Sequence, residues 1–114
     1  MRAAGKGALL VAVLLTACTP APAYLSDLQG QEYTDVNAVL DDLGCASGIM
    51  VTHIGRGAAD EQEVVESARD ELRRNSGAEV EQAQHGGEHI WLLATESGRV
   101  LGALDTRGGL AFCE

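Results

Sequence analysis

Four aromatic residues are all this chain carries: Tyr24, Tyr33, Trp91 and Phe112 among 114 positions. Any core must therefore be mostly aliphatic. Bases are also scarce, 8 Lys and Arg against 17 Asp and Glu, for a formal net charge of −9. After Lys6 every base is an arginine: Arg56, Arg69, Arg73, Arg74, Arg99 and Arg107. So acidic a domain is repelled by phosphate backbones and by anionic headgroups. That argues against nucleic-acid binding and against the folded domain lying flat on an anionic membrane. No apolar run approaches the roughly 20 residues that span a bilayer as a helix. There is no Cys-x-x-Cys pair for dithiol redox catalysis and no Gly-x-Ser-x-Gly turn for a serine nucleophile. Internal repeats are lacking too.

What is present begins at the amino terminus. Arg2 and Lys6 precede the apolar stretch Ala8-Leu9-Leu10-Val11-Ala12-Val13-Leu14-Leu15, and small residues Thr16 and Ala17 lead to Cys18. A basic start, a short apolar stretch and small residues at a cut site make a secretory leader. The sequence Leu15-Thr16-Ala17-Cys18 resembles the lipobox of bacterial lipoproteins. The resemblance covers residues 1–18 only. It implies that the Cys18 thiol carries a diacylglycerol and that residues 1–17 are removed, leaving Cys18 first. The implied location is the cell membrane, on its extracytoplasmic face, with the membrane as a partner through the lipid on Cys18. Thr19-Pro20-Ala21-Pro22-Ala23 suits a spacer, because proline fixes φ and lacks a donor for sheet pairing.

With that leader removed, 97 residues remain, enough for one small domain. The leader holds two bases and no acid, so the net charge falls from −9 to −11. Three cysteines is an odd number. If Cys18 is lipidated, Cys45 and Cys113 remain, and outside the cytoplasm such a pair is expected to oxidise. That disulfide would join positions 68 residues apart.

Local patterns predict the elements. Residues 18–33 read as lipidated terminus and linker, with at most one helical turn at Ser26-Asp27-Leu28-Gln29. The folded domain is expected over 34–114. Thr34 and Asp35 open a helix whose Val36, Val39, Leu40 and Leu43 share one face, and Gly44 closes it. Ile49 to Ile54 is a β-branched strand. Asp60 and Glu63 form a capping box for a second helix that ends with Arg69, Arg73 and Arg74 near its negative pole. Ala78–Gln84 reads as an edge strand, and His89–Thr95, Arg99–Leu104 and Leu110–Cys113 as a meander separated by glycine turns. The fold predicted is α+β: a two-layer sandwich with two helices on one face of a mostly antiparallel sheet of four to five strands, in the order α-β-α-β-β-β.

Several patterns invite chemistry. His85-Gly86-Gly87-Glu88-His89 fits His-x-x-Glu-His, the inverted zinc-protease pattern. Zinc chemistry of that kind needs both imidazoles on one rigid helical face, and paired glycines break helices. A looser zinc or copper site, with His85 and His89 converging across the turn and Glu88 or His53 nearby, is a weak candidate but fits the pattern better than the protease site. Gly55-Arg56-Gly57 lies between strand and helix but leads to Asp60, whose charge would repel a phosphate. Asp60 to Glu63 lacks the spaced ligands of a calcium loop. Asp41 and Asp42 are adjacent on a helix and point apart. The expectation is therefore a membrane-anchored extracytoplasmic lipoprotein without cofactor, whose role is non-catalytic: binding an envelope protein or ligand, or envelope structure. The alternatives are an envelope metal-binding protein using the histidines, and an enzyme with no recognisable motif.

Overall fold

The computed structural model describes residues 23–45 and 47–113. The leader and Cys18 lie outside the described residues. A 3-10 turn, Leu25–Leu28, is followed by α1 (Val36–Leu43), β1 (Gly48–Val51), α2 (Glu61–Ser76), β2 (Gln82–His85), β3 (Ile90–Ala94), β4 (Val100–Asp105) and β5 (Gly109–Cys113). The five strands form one antiparallel sheet in the order β1-β5-β4-β3-β2. The α+β class and the antiparallel sheet are as the sequence predicts. The last strand is interior, because β1 pairs beside it.

The helices begin and end where side chains satisfy their free backbone groups. Asp35, rather than Thr34, caps α1 by accepting from the Ala38 amide at 3.1 Å. Gly44 closes α1 in the left-handed region at φ 73°, which glycine adopts without penalty. Asp60 accepts from the Glu63 amide at 3.0 Å, and Glu63 accepts from the Ala59 amide at 3.0 Å. That pair opens α2, and Gly77 ends it. The first strand is shorter than predicted and stops at Val51. His53, at φ 64°, turns the backbone out of the sheet.

The layering corrects the sequence reading: the two helices do not share one face. Val36, Val39 and Leu40 of α1 pack with Ile90, Leu92, Ala94, Ala103 and Ala111. Val64, Val65, Ala68 and Leu72 of α2 pack with Leu93, Leu104, Leu110 and Phe112. Along β3 and β5, consecutive residues enter different clusters. Side chains alternate across a strand, so α1 and α2 cover opposite faces. The result is three layers, with the sheet between the helices. The chain achieves it by passing from β1 at one edge, through α2, to β2 at the other.

The folded unit also starts before residue 34. Leu25, Leu28 and Tyr33 are buried in the cluster under α1. Val100 donates its amide to the Ala23 carbonyl at 2.9 Å, and Leu25 donates to Gly98 at 2.8 Å. Residues 23–33 are thus tied to the folded domain through Leu25, Leu28 and Tyr33. The Tyr33 hydroxyl donates to Asp42 Oδ2 at 2.7 Å. Burial, that hydrogen bond and the Asp42 charge push the phenol from 10.0 up to about 12. The folded state therefore keeps a proton that the unfolded chain has lost. This contribution is full below pH 10 and disappears as pH rises through about 12. Denaturant titrations of wild type should show stability falling over that window. Tyr33→Phe should flatten the fall and cost about 1 kcal/mol at neutral pH.

Candidate functional site

The Cys45–Cys113 disulfide is formed, with 5.5 Å between the Cα atoms. It joins the loop after α1 to the last residue of β5. Ala23 reaches the same end of the sheet, since it bonds to Val100 at the start of β4. This pole therefore receives the amino-terminal chain and holds the crosslink.

A cavity of about 350 Å³ opens here. Its walls are Ala23, Leu43 of α1, Leu72 of α2, Val100 and Leu101 of β4, and Phe112 of β5. The strands pack closely beneath it. Gly102 has no Cβ, and one would press on the Ala111 carbonyl oxygen at 2.6 Å and on Leu72 Cδ1 at 3.3 Å. Val100 and Leu101 pack with different clusters, as neighbours on a strand do, and the β3–β4 register shifts beside them. A bulge of this kind leaves one residue of the strand unpaired and re-aims its side chains. Both helix C-termini end beside the cavity, at Leu43 and Ser76.

One charged side chain lines this apolar cavity: Arg99. The remaining arginines described are engaged. Arg69, Arg73 and Arg74 pair with Glu66, Asp70 and Glu71 on the surface of α2. Arg107 grips Asp105 through Nε at 2.9 Å and Nη2 at 2.7 Å. That grip holds the Asp105 carboxyl below the usual carboxylate range. Arg56 Nη2 lies 3.2 Å from His53 Nδ1. Arg99 alone has no side-chain hydrogen bond or ion pair among the described residues. Neither it nor the cavity was singled out from sequence as a site.

The histidines are placed apart in function. The His85 ring lies on Trp91, with ring centroids 4.0 Å apart, and its Nε2 is 3.7 Å from Glu61. His89 Nε2 is 3.8 Å from Glu88. His53 sits on the turn beside Arg56. Among the described residues, no group of three or more His, Cys, Asp or Glu could hold a metal ion. The His-x-x-Glu-His run is the last residue of β2, His85, and the loop of residues 86–89 that leads to β3, not a helix. Trp91 packs with the cluster under α2, and its Nε1 is buried with no hydrogen-bond partner among the described residues. No helix among the described residues is long and apolar enough to cross a membrane.

Compared with known proteins, the chain matches no family model, no curated protein and no solved structure.

Proposed function

We propose that this chain is a lipid-anchored extracytoplasmic binding protein, held to the cell membrane through Cys18, with a non-catalytic role. The observation that carries the reading is the Cys45–Cys113 bond. It takes up two of the three cysteines and leaves Cys18, behind its apolar leader, as the remaining thiol. Disulfides persist in oxidising compartments, where an exported domain resides. Two acyl chains on one cysteine give stable attachment, at about 0.8 kcal/mol for each buried methylene. Five of the described acids have structural roles. Asp35, Asp60 and Glu63 satisfy helix-start amides, Asp105 locks a turn, and Asp42 holds Tyr33. The cavity beside Ala23 is the feature suited to binding.

Intact mass and fractionation of protein from host envelopes test the anchor. Wild type is expected in the membrane fraction, cut before Cys18 and heavier by a diacylglyceryl group. Cys18→Ser should abolish the adduct and release the chain from the membrane. An unmodified Cys18 in membrane-extracted protein would refute the anchor.

A further inference from the structure

We infer that the cavity between the C-terminal ends of the two helices binds a single-chain fatty acid, its tail against the aliphatic walls and its carboxylate on Arg99. This deepens the reading of a binding protein by naming a ligand class for it.

Three observations lead there. The first is the lining. Leu43, Leu72, Val100, Leu101 and Phe112 offer a hydrocarbon surface with few groups to bond a polar ligand. Ligand sites of this kind are mostly apolar, with a few placed polar groups that fix orientation. The second is charge. Arg99 is exposed at the cavity and unpaired among the described residues, in a chain of net charge −9 whose other described arginines are engaged. A guanidinium offers a planar pair of donors that matches a carboxylate. Arg99 is the one charged side chain in the cavity lining among the described residues. The third is size. About 350 Å³ lies at the lower end of small-ligand sites, which favours one chain over a diacyl lipid.

Position fits the source of such a ligand. Ala23 forms part of the wall and lies five residues after Cys18. Five residues span at most about 18 Å. An anchored chain would hold the cavity within that reach of the membrane, where free fatty acids partition.

The disulfide keeps the walls in place. Cys113 is itself in the lining, tied to the loop after α1 that follows Leu43. The site is thus preformed, and binding need not order it.

The test uses mature chain carrying Cys18→Ser, which has no lipid of its own. Dodecanoate is titrated below micelle formation and followed by amide NMR. Saturable shifts at Leu43, Leu72, Arg99 to Leu101 and Phe112 are expected. Arg99→Gln should weaken dodecanoate about tenfold, the loss of one charge-assisted contact. It should leave the weaker binding of dodecanol unchanged. Leu101→Trp, which fills the cavity, should abolish both. The inference is overturned if dodecanoate gives no saturable shifts there, if Arg99→Gln binds it as tightly as wild type, or if dodecyltrimethylammonium binds equally well. None of these results bears on the anchor, which is decided by the mass at Cys18.

Discussion

Replacing Cys45 and Cys113 together by alanine is expected to cost about 4 kcal/mol of stability. The bond closes a loop with a sequence separation of 68. Without it the unfolded chain regains the entropy of that loop, which the chain-entropy model puts at roughly 4 kcal/mol for this length. The loss rivals the entire stability of many small domains, which lies at about 5–15 kcal/mol. In a domain of this size, 1 kcal/mol moves the melting midpoint by about 4–8 °C. The double variant should therefore melt on the order of 20 °C lower, by circular dichroism. Wild type in excess reductant should match it, while the variant should not respond to reductant. Beyond the crosslinked loop, β1 is held by pairing with β5 over all four of its residues. Gly48 pairs with Cys113 only at the first position of the short edge strand β1. Loss of the crosslink should therefore free the α1–β1 loop first, and amide exchange should rise there before it rises in β3 and β4. A double variant that melts with wild type would show that the unfolded chain gains nothing from release.

Gly87→Ala is expected to be the most damaging single methyl addition at an exposed turn, costing about 1–3 kcal/mol by overpacking. A Cβ at this position would overlap the Tyr33 carbonyl oxygen and lie 3.1 Å from its carbon. The obstacle is backbone, so no side chain can swing away. Tyr33 cannot retreat either, since its amide donates to the Gly86 carbonyl at 2.8 Å and its ring is buried. Chemical denaturation of the variant measures the cost. Gly30→Ala supplies the comparison: its Cβ would meet open space, and only its φ of 87° opposes the change. If Gly87→Ala unfolds with wild type, the close approach at Gly87 contributes nothing. Gly87 is thus explained by the close passage of Tyr33, and Gly86 by Leu92, whose Cγ a Cβ would meet at 3.0 Å.

Much of the local structure was legible. The Asp60 and Glu63 pair marks the start of α2 because capping needs only residues three or four apart. Gly44 and Gly77 mark helix ends for the same local reason. The disulfide followed from parity once Cys18 was set aside. The layering did not follow, although a sign was present. Ile90-Trp91-Leu92-Leu93-Ala94 is apolar at every position, and such a run belongs to a strand covered on both faces. Two helices on one face would leave the other face of that strand bare. The boundary at residue 34 failed differently. Leu25 and Leu28 lie in a segment with two prolines upstream, too short to show a period, and their burial depends on the distant β3 and β4.

Arg99 shows the limit most clearly. Glu96 precedes it by three residues, as Glu66 precedes Arg69. On the helix that spacing makes an ion pair; in the turn before β4 it does not. A spacing rule for side-chain pairs holds only where the backbone has helical geometry. The cavity is built by residues from 23 to 113, and no window of the sequence contains them together.

By itself the sequence determined the helix ends, the existence of the strands, the acidity and the pairing of two cysteines. Each of these is set by neighbours a few positions away or by a count. Only the tertiary structure decided which face each helix covers, where β1 joins the sheet, and that Arg99 stands unpaired beside an apolar cavity. Those are contacts between distant segments, and alternation along a strand announces two faces without saying what covers either one.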